Sequence, residues 1–115
     1  MIEKPASPGR GMPAAEVVRT SELVNYQAGS VVSRQLIKHD KGNVTLFAFD
    51  ELQGLSEHTA PFDALVHIIE GEAEITISGQ PMRAKTGEMV LMPANQPHAL
   101  KAITRFQMLL TMVRS

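Results

Sequence analysis

From Ser30 onward the chain is cut into short apolar or alternating runs by Gly, Asp, Asn and Pro. Such punctuation leaves too little uninterrupted chain for helices and predicts an all-β domain. SVVSRQLIKHD and NVTLFAFD flank Asp40-Lys41-Gly42-Asn43 and read as a hairpin. DALVHIIE and EAEITIS meet at Gly71, and Gly79-Gln80-Pro81 turns the chain into MRAK. EMVLM, HALKAIT and RFQMLLTMV follow, with Gly87, Pro93 and Pro97 as breaks. A helical turn is expected only around Thr20 to Tyr26, with Ser21 as its cap.

With 115 residues the chain makes one core. Three of the seven prolines and two of the eight glycines fall in the first fifteen residues. Residues 1–14 are therefore expected to form a flexible arm and residues 15–115 a single barrel domain. A net charge of -1 offers no field for nucleic acid or an anionic membrane. No segment is long and apolar enough for a signal peptide or a spanning helix, so a cytoplasmic location is expected. With no cysteine, disulfides, thiolate metal sites and a thiol nucleophile are excluded. Any metal must sit on histidine, carboxylate or amide oxygen.

The last run is apolar on both sides. Phe106, Met108, Leu110 and Met112 share one face, and Leu109 and Val113 the other. Something beyond the barrel interior must cover that second face. A homodimer is the expectation, and the alternative is that Val17 to Tyr26 folds back over it.

GLSEHTAPFDALVHIIEG and GEMVLMPANQPHALKA together resemble the two motifs of the cupin superfamily. Gly54 and Gly71 match the first motif, and Gly87, Pro93 and His98 the second. Asn95 replaces a glycine and Ala102 an asparagine. Asparagine is the best non-glycine residue for a left-handed turn, so the geometry there is expected to survive. The resemblance implies a double-stranded β-helix, or jelly-roll, barrel. In that family two histidines, a glutamate and a third histidine hold a metal. The corresponding positions here are His58, Ala60, Ala64 and His98, so only His58 and His98 carry over as metal ligands. The implied cofactor is a divalent transition metal (Fe, Mn, Ni or Zn), weakly bound or absent.

Strand alternation puts Ala64 and Val66 on one face, and His98 on a neighbouring strand can share their cavity. The expected ligand pocket is therefore His58, Ala60, Ala64, Val66 and His98. Asp63 and Glu57 point away by the same parity, unless a bulge at Pro61-Phe62 turns Asp63 inward as a further ligand. Two imidazoles alone make a poor metal site. As hydrogen-bonded pocket groups they remain an acid and base pair near neutrality, or serve structure only. His67 on the opposite face suits an interface or core contact, and His39 a solvated turn. The favoured reading is a protein that binds a small molecule in the barrel. The alternative is a metal-dependent enzyme of dioxygenase or isomerase type.

Overall fold

The computed structural model describes residues 11–114. Among them a 3-10 turn, Thr20–Glu22, precedes nine strands: β1 Val31–His39, β2 Gly42–Phe49, β3 Gly54–His58, β4 Asp63–Glu70, β5 Glu72–Ile77, β6 Gln80–Lys85, β7 Met89–Met92, β8 His98–Ala102 and β9 Phe106–Val113. Sheet A has the order β1, β2, β9, β4, β7, and sheet B the order β3, β8, β5, β6. Every pairing is antiparallel. The chain passes repeatedly between the layers, giving the double-stranded β-helix. No helix among the described residues is long and apolar enough to cross a membrane.

Side-chain alternation separates two apolar clusters. Phe49, Val66, Ile68, Ile75, Leu100, Phe106 and Met108 fill the space between the sheets. The rings of Phe49 and Phe106 stack there at 4.4 Å. Leu46, Ala48 and Leu109 face outward from sheet A and meet Val24, Leu23 and Tyr26 of the N-terminal segment. That segment supplies the cover that a strand apolar on both faces requires. It is pinned by polar groups: Gln107 Nε2 donates to the Ser21 carbonyl at 3.2 Å, and Arg34 donates to the carbonyls of Gly11 and Leu23. Tyr26 Oη donates to Glu70 Oε1 at 2.6 Å. Burial first, then the Glu70 carboxylate, raises the Tyr26 pKa. Met89 and Leu91 on β7 and Val113 at the end of β9 stay exposed, so the expectation of a second subunit now concerns only that remainder.

Two local expectations change. Ser21 lies inside the 3-10 turn rather than capping it, and Arg19 occupies the cap position without a side-chain bond. Of the expected arm, residues 1–10 lie outside the described residues, while Gly11 is joined to β1 by its N–H to the Leu36 carbonyl at 2.8 Å.

Turn chemistry fixes the register. Gly71, between β4 and β5, has φ 86°, and a Cβ there would run into the Arg105 carbonyl and Phe106. Asn95 has φ 64°, the left-handed geometry expected of the residue standing in for a glycine. At the far end of β2, Asp50 receives the Gly29 N–H and Arg105 Nε. These bonds, the Gly29 one foremost, hold its carboxyl down at about 2.

Candidate functional site

His58 ends β3 and His98 opens β8, and the two residues pair across the strands. The inward direction of His58 comes from a β-bulge. Leu55 pairs with Leu100 and His58 with His98, so Ser56 and Glu57 on β3 oppose the single residue Ala99 on β8. Without the extra residue, Glu57 would stand opposite His98. The bulge thus sits within β3 rather than at Pro61-Phe62, and it serves His58 rather than Asp63.

The two imidazoles meet edge to face, with ring centroids 4.4 Å apart and 69° between planes. Their Nε2 atoms are 3.2 Å apart. Each ring is held from behind by a carbonyl two residues earlier: His58 Nδ1 lies 2.8 Å from the Ser56 oxygen, and His98 Nδ1 3.2 Å from the Gln96 oxygen. A carbonyl only accepts, so each Nδ1 carries the hydrogen. In the neutral rings both Nε2 atoms then present lone pairs to each other. That arrangement invites a third party: a proton, a donor group of a ligand, or a cation.

His58 is exposed and His98 is 6% exposed. Burial lowers the His98 pKa most, the Gln96 carbonyl opposes this, and the neighbouring His58 lowers it further. The Gln96 carbonyl is itself placed by the loop. Ser78 Oγ donates to Gln96 Oε1 at 3.0 Å, and the Ser78 N–H to the Pro97 carbonyl at 2.8 Å. Gln96 and Ser56 were missed by reasoning from residue types, because both act through backbone oxygens.

The other expected site residues divide. Ala60 lies at the rim, where its carbonyl accepts the Asn95 N–H at 2.8 Å. Ala64 and Val66 are 3% and 0% exposed within the core. Asp63 is exposed and its Oδ1 accepts the Ala94 N–H at 2.9 Å, so it braces the loop before β8. His67 pairs with Met89 and Leu109 on the outer face of sheet A, and His39 sits at the β1–β2 turn. Two concavities elsewhere, of about 550 and 280 Å³, are lined by the N-terminal segment with β1 and by Glu72, Arg83, Lys85 and Glu88.

The fit to a metal ion is partial. Nitrogens about 2.0–2.1 Å from a tetrahedral zinc stand about 3.3 Å apart, close to the observed Nε2 separation. Carbonyls on both Nδ1 atoms are the usual outer support of ligating histidines. Yet among the described residues no group of three or more His, Cys, Asp or Glu side chains gathers to hold an ion. The pair offers two ligand positions, and Ala60 and Ala64 add no donor.

Residues 47–114 match the cupin domain. The structure is similar to that of a conserved protein of unknown function from Streptococcus pyogenes, at 36% identity and a TM-score of 0.89, covering 92% of this chain and 93% of that one. A cupin superfamily protein from Desulfitobacterium hafniense is 26% identical with a TM-score of 0.86, covering 92% and 97%. A cupin 2 conserved barrel domain protein from Leptotrichia buccalis is 38% identical with a TM-score of 0.80, covering 82% of this chain and 46% of that one. Among curated proteins nothing matches. The match over residues 47–114 spans more than half of the chain, and the chain belongs to the cupin family.

Proposed function

We propose that this cupin domain binds a small molecule at the mouth of its barrel, with His58 and His98 as a paired anchor. The observation that carries the reading is the 3.2 Å approach of two Nε2 acceptors whose Nδ1 hydrogens are already committed. A ligand O–H or N–H placed against the pair relieves the lone-pair conflict and gains a hydrogen bond in a partly dry setting. One buried and one exposed ring give the site a fixed wall and an approachable one.

A screen of small hydroxylic and carbonyl compounds by imidazole 15N NMR tests the reading. Binders should shift the Nε2 resonances of both histidines, and His58→Ala and His98→Ala should each abolish the response. Binders that leave both rings unshifted would refute it.

The metal-dependent reading rests on the Nε2 separation, which suits one edge of a coordination polyhedron. There His58 and His98 would hold a divalent transition ion, and water or a ligand would supply its other donors. When bound, the ion supplies Lewis acidity at the mouth. Metal analysis after reconstitution with iron, manganese, nickel and zinc decides this reading: near one ion per chain, lost in His98→Ala, supports it, and clearly less counts against it.

A further inference from the structure

Two tautomers compete at His98. With the hydrogen on Nδ1 the ring donates to the Gln96 carbonyl and shows His58 a lone pair. With the hydrogen on Nε2 the ring donates to His58 Nε2 at 3.2 Å and turns a lone pair on that carbonyl. The second state satisfies the two imidazoles internally and leaves His98 no acceptor toward the mouth. The first survives only while the Gln96 oxygen stays behind the ring. The contact behind His58 measures 2.8 Å and that behind His98 3.2 Å, so His98 is the ring whose backing oxygen has less hold of its own.

That oxygen is held from the β5–β6 turn. Ile77 pairs with both Gln80 and His98, so the turn residues Ser78 and Gly79 follow directly on the partner of the buried histidine. Both have positive φ, 49° and 80°, as a type I′ turn demands. Such turns favour asparagine or glycine at the first position, and a serine there bears the strain of its Cβ. What Ser78 supplies is tertiary: its Oγ donates to Gln96 Oε1 at 3.0 Å and its N–H to the Pro97 carbonyl at 2.8 Å. The two bonds grip the chain on either side of the Gln96 carbonyl. Asp63 and the Ala60 carbonyl take the N–H groups of Ala94 and Asn95 at the other end of the same loop. Ser78 takes the end next to His98.

We infer that Ser78 is a positioning residue of the mouth: through the Gln96 side chain its hydroxyl keeps the Gln96 carbonyl behind His98 and so holds His98 Nε2 as an acceptor for a ligand. The inference rests on the small-molecule reading above and deepens it by naming what keeps the anchor pair open. Ser78 acts through Gln96 and touches no ligand itself. Its hydroxyl selects between a pair that bonds to itself and a pair that bonds to a third group.

The tautomer itself is the readout, and it needs no ligand. In the full chain, 15N-labelled at histidine and held at about pH 8.5 so that both rings are neutral, ring-nitrogen shifts distinguish a protonated Nδ1 from a protonated Nε2. The parent should show the Nδ1–H form at both histidines. Ser78→Gly removes the hydroxyl, keeps the N–H and relieves the left-handed strain, so the hairpin stands. In that variant the ratio of Nε2–H to Nδ1–H at His98 should rise about two- to fivefold, the net contribution of one exposed neutral hydrogen bond, while His58 keeps its Nδ1–H form. Gln96→Ala should do the same, and the double variant no more than either alone. Unchanged His98 tautomers in both single variants would overturn the role of Ser78 and leave the anchor pair standing. An equal change at His58 in Ser78→Gly would mean a general loosening of the mouth and would overturn it too. A dominant Nε2–H form of His98 in the parent would overturn the inference and count against the reading beneath it. The compound screen tests that reading without reference to Ser78, so the two fail separately.

Discussion

The Nε2 atoms of His58 and His98 approach to 3.2 Å although 40 positions separate the residues in the chain. A bulge turns one ring inward and a strand start presents the other, while backbone oxygens fix both tautomers.

Acid should destabilise the fold through His98. Its pKa is lowered in the folded state, chiefly by burial, from the ordinary value of 6.5. Below that value the unfolded chain takes up a proton that the folded chain resists. The contribution is therefore complete above 6.5 and is lost as the pH falls through 6.5 toward the lowered folded value. Thermal melts from pH 7.5 to 5, ranges of the kind in which histidine titrates, should show a falling Tm that is flatter in His98→Gln. Equal slopes in the two proteins would contradict this origin.

Replacing His58 should raise the His98 pKa. His58→Ala opens the mouth to water and removes the neighbouring ring, and burial and that ring both lower the value. NMR titration of His98 reads the change directly; a further fall would show that the Gln96 contact was lost as well.

Asp63 braces a loop. Asp63→Ala should cost about 1 kcal/mol by stranding the Ala94 N–H, and lower Tm by roughly 4–8 °C. Zinc or nickel affinity should stay unchanged in the same variant. A large loss of metal affinity would instead place Asp63 among the ligands.

Restoring donors should create a metal site at a cost. Ala60→His with Ala64→Glu adds two ligands beside the imidazole pair, and Ala64 is only 3% exposed, so the metal-free variant carries a carboxylate at a buried position. Its Tm should lie below that of the parent without metal and rise with zinc or nickel as the ion binds the folded state. Calorimetry should show at least about tenfold tighter metal binding, equivalent to about 1.4 kcal/mol.

Gly71→Ala should destabilise by roughly 2–4 kcal/mol. The position combines φ 86° with a backbone carbonyl where the Cβ would sit, so conformational strain adds to overlap. Denaturant unfolding measures it, and a loss under about 1 kcal/mol would mean that the β4–β5 turn adjusts.

The sequence by itself determined the strands, most turns and the handedness at Asn95. Those properties depend on local periodicity and on the φ preferences of single residues. It also singled out His58 and His98, through the resemblance to the two cupin motifs that Gly71 and Pro93 align. Only the tertiary structure decided that the rings touch, because a one-residue bulge at Ser56-Glu57 reverses the parity of β3 and leaves no composition signal. It likewise decided that Asp63 serves a loop N–H and that the N-terminal segment covers Leu109, since both depend on chain segments remote in sequence. The tautomers followed from the carbonyls of Ser56 and Gln96, and a backbone oxygen is the same atom whatever residue carries it.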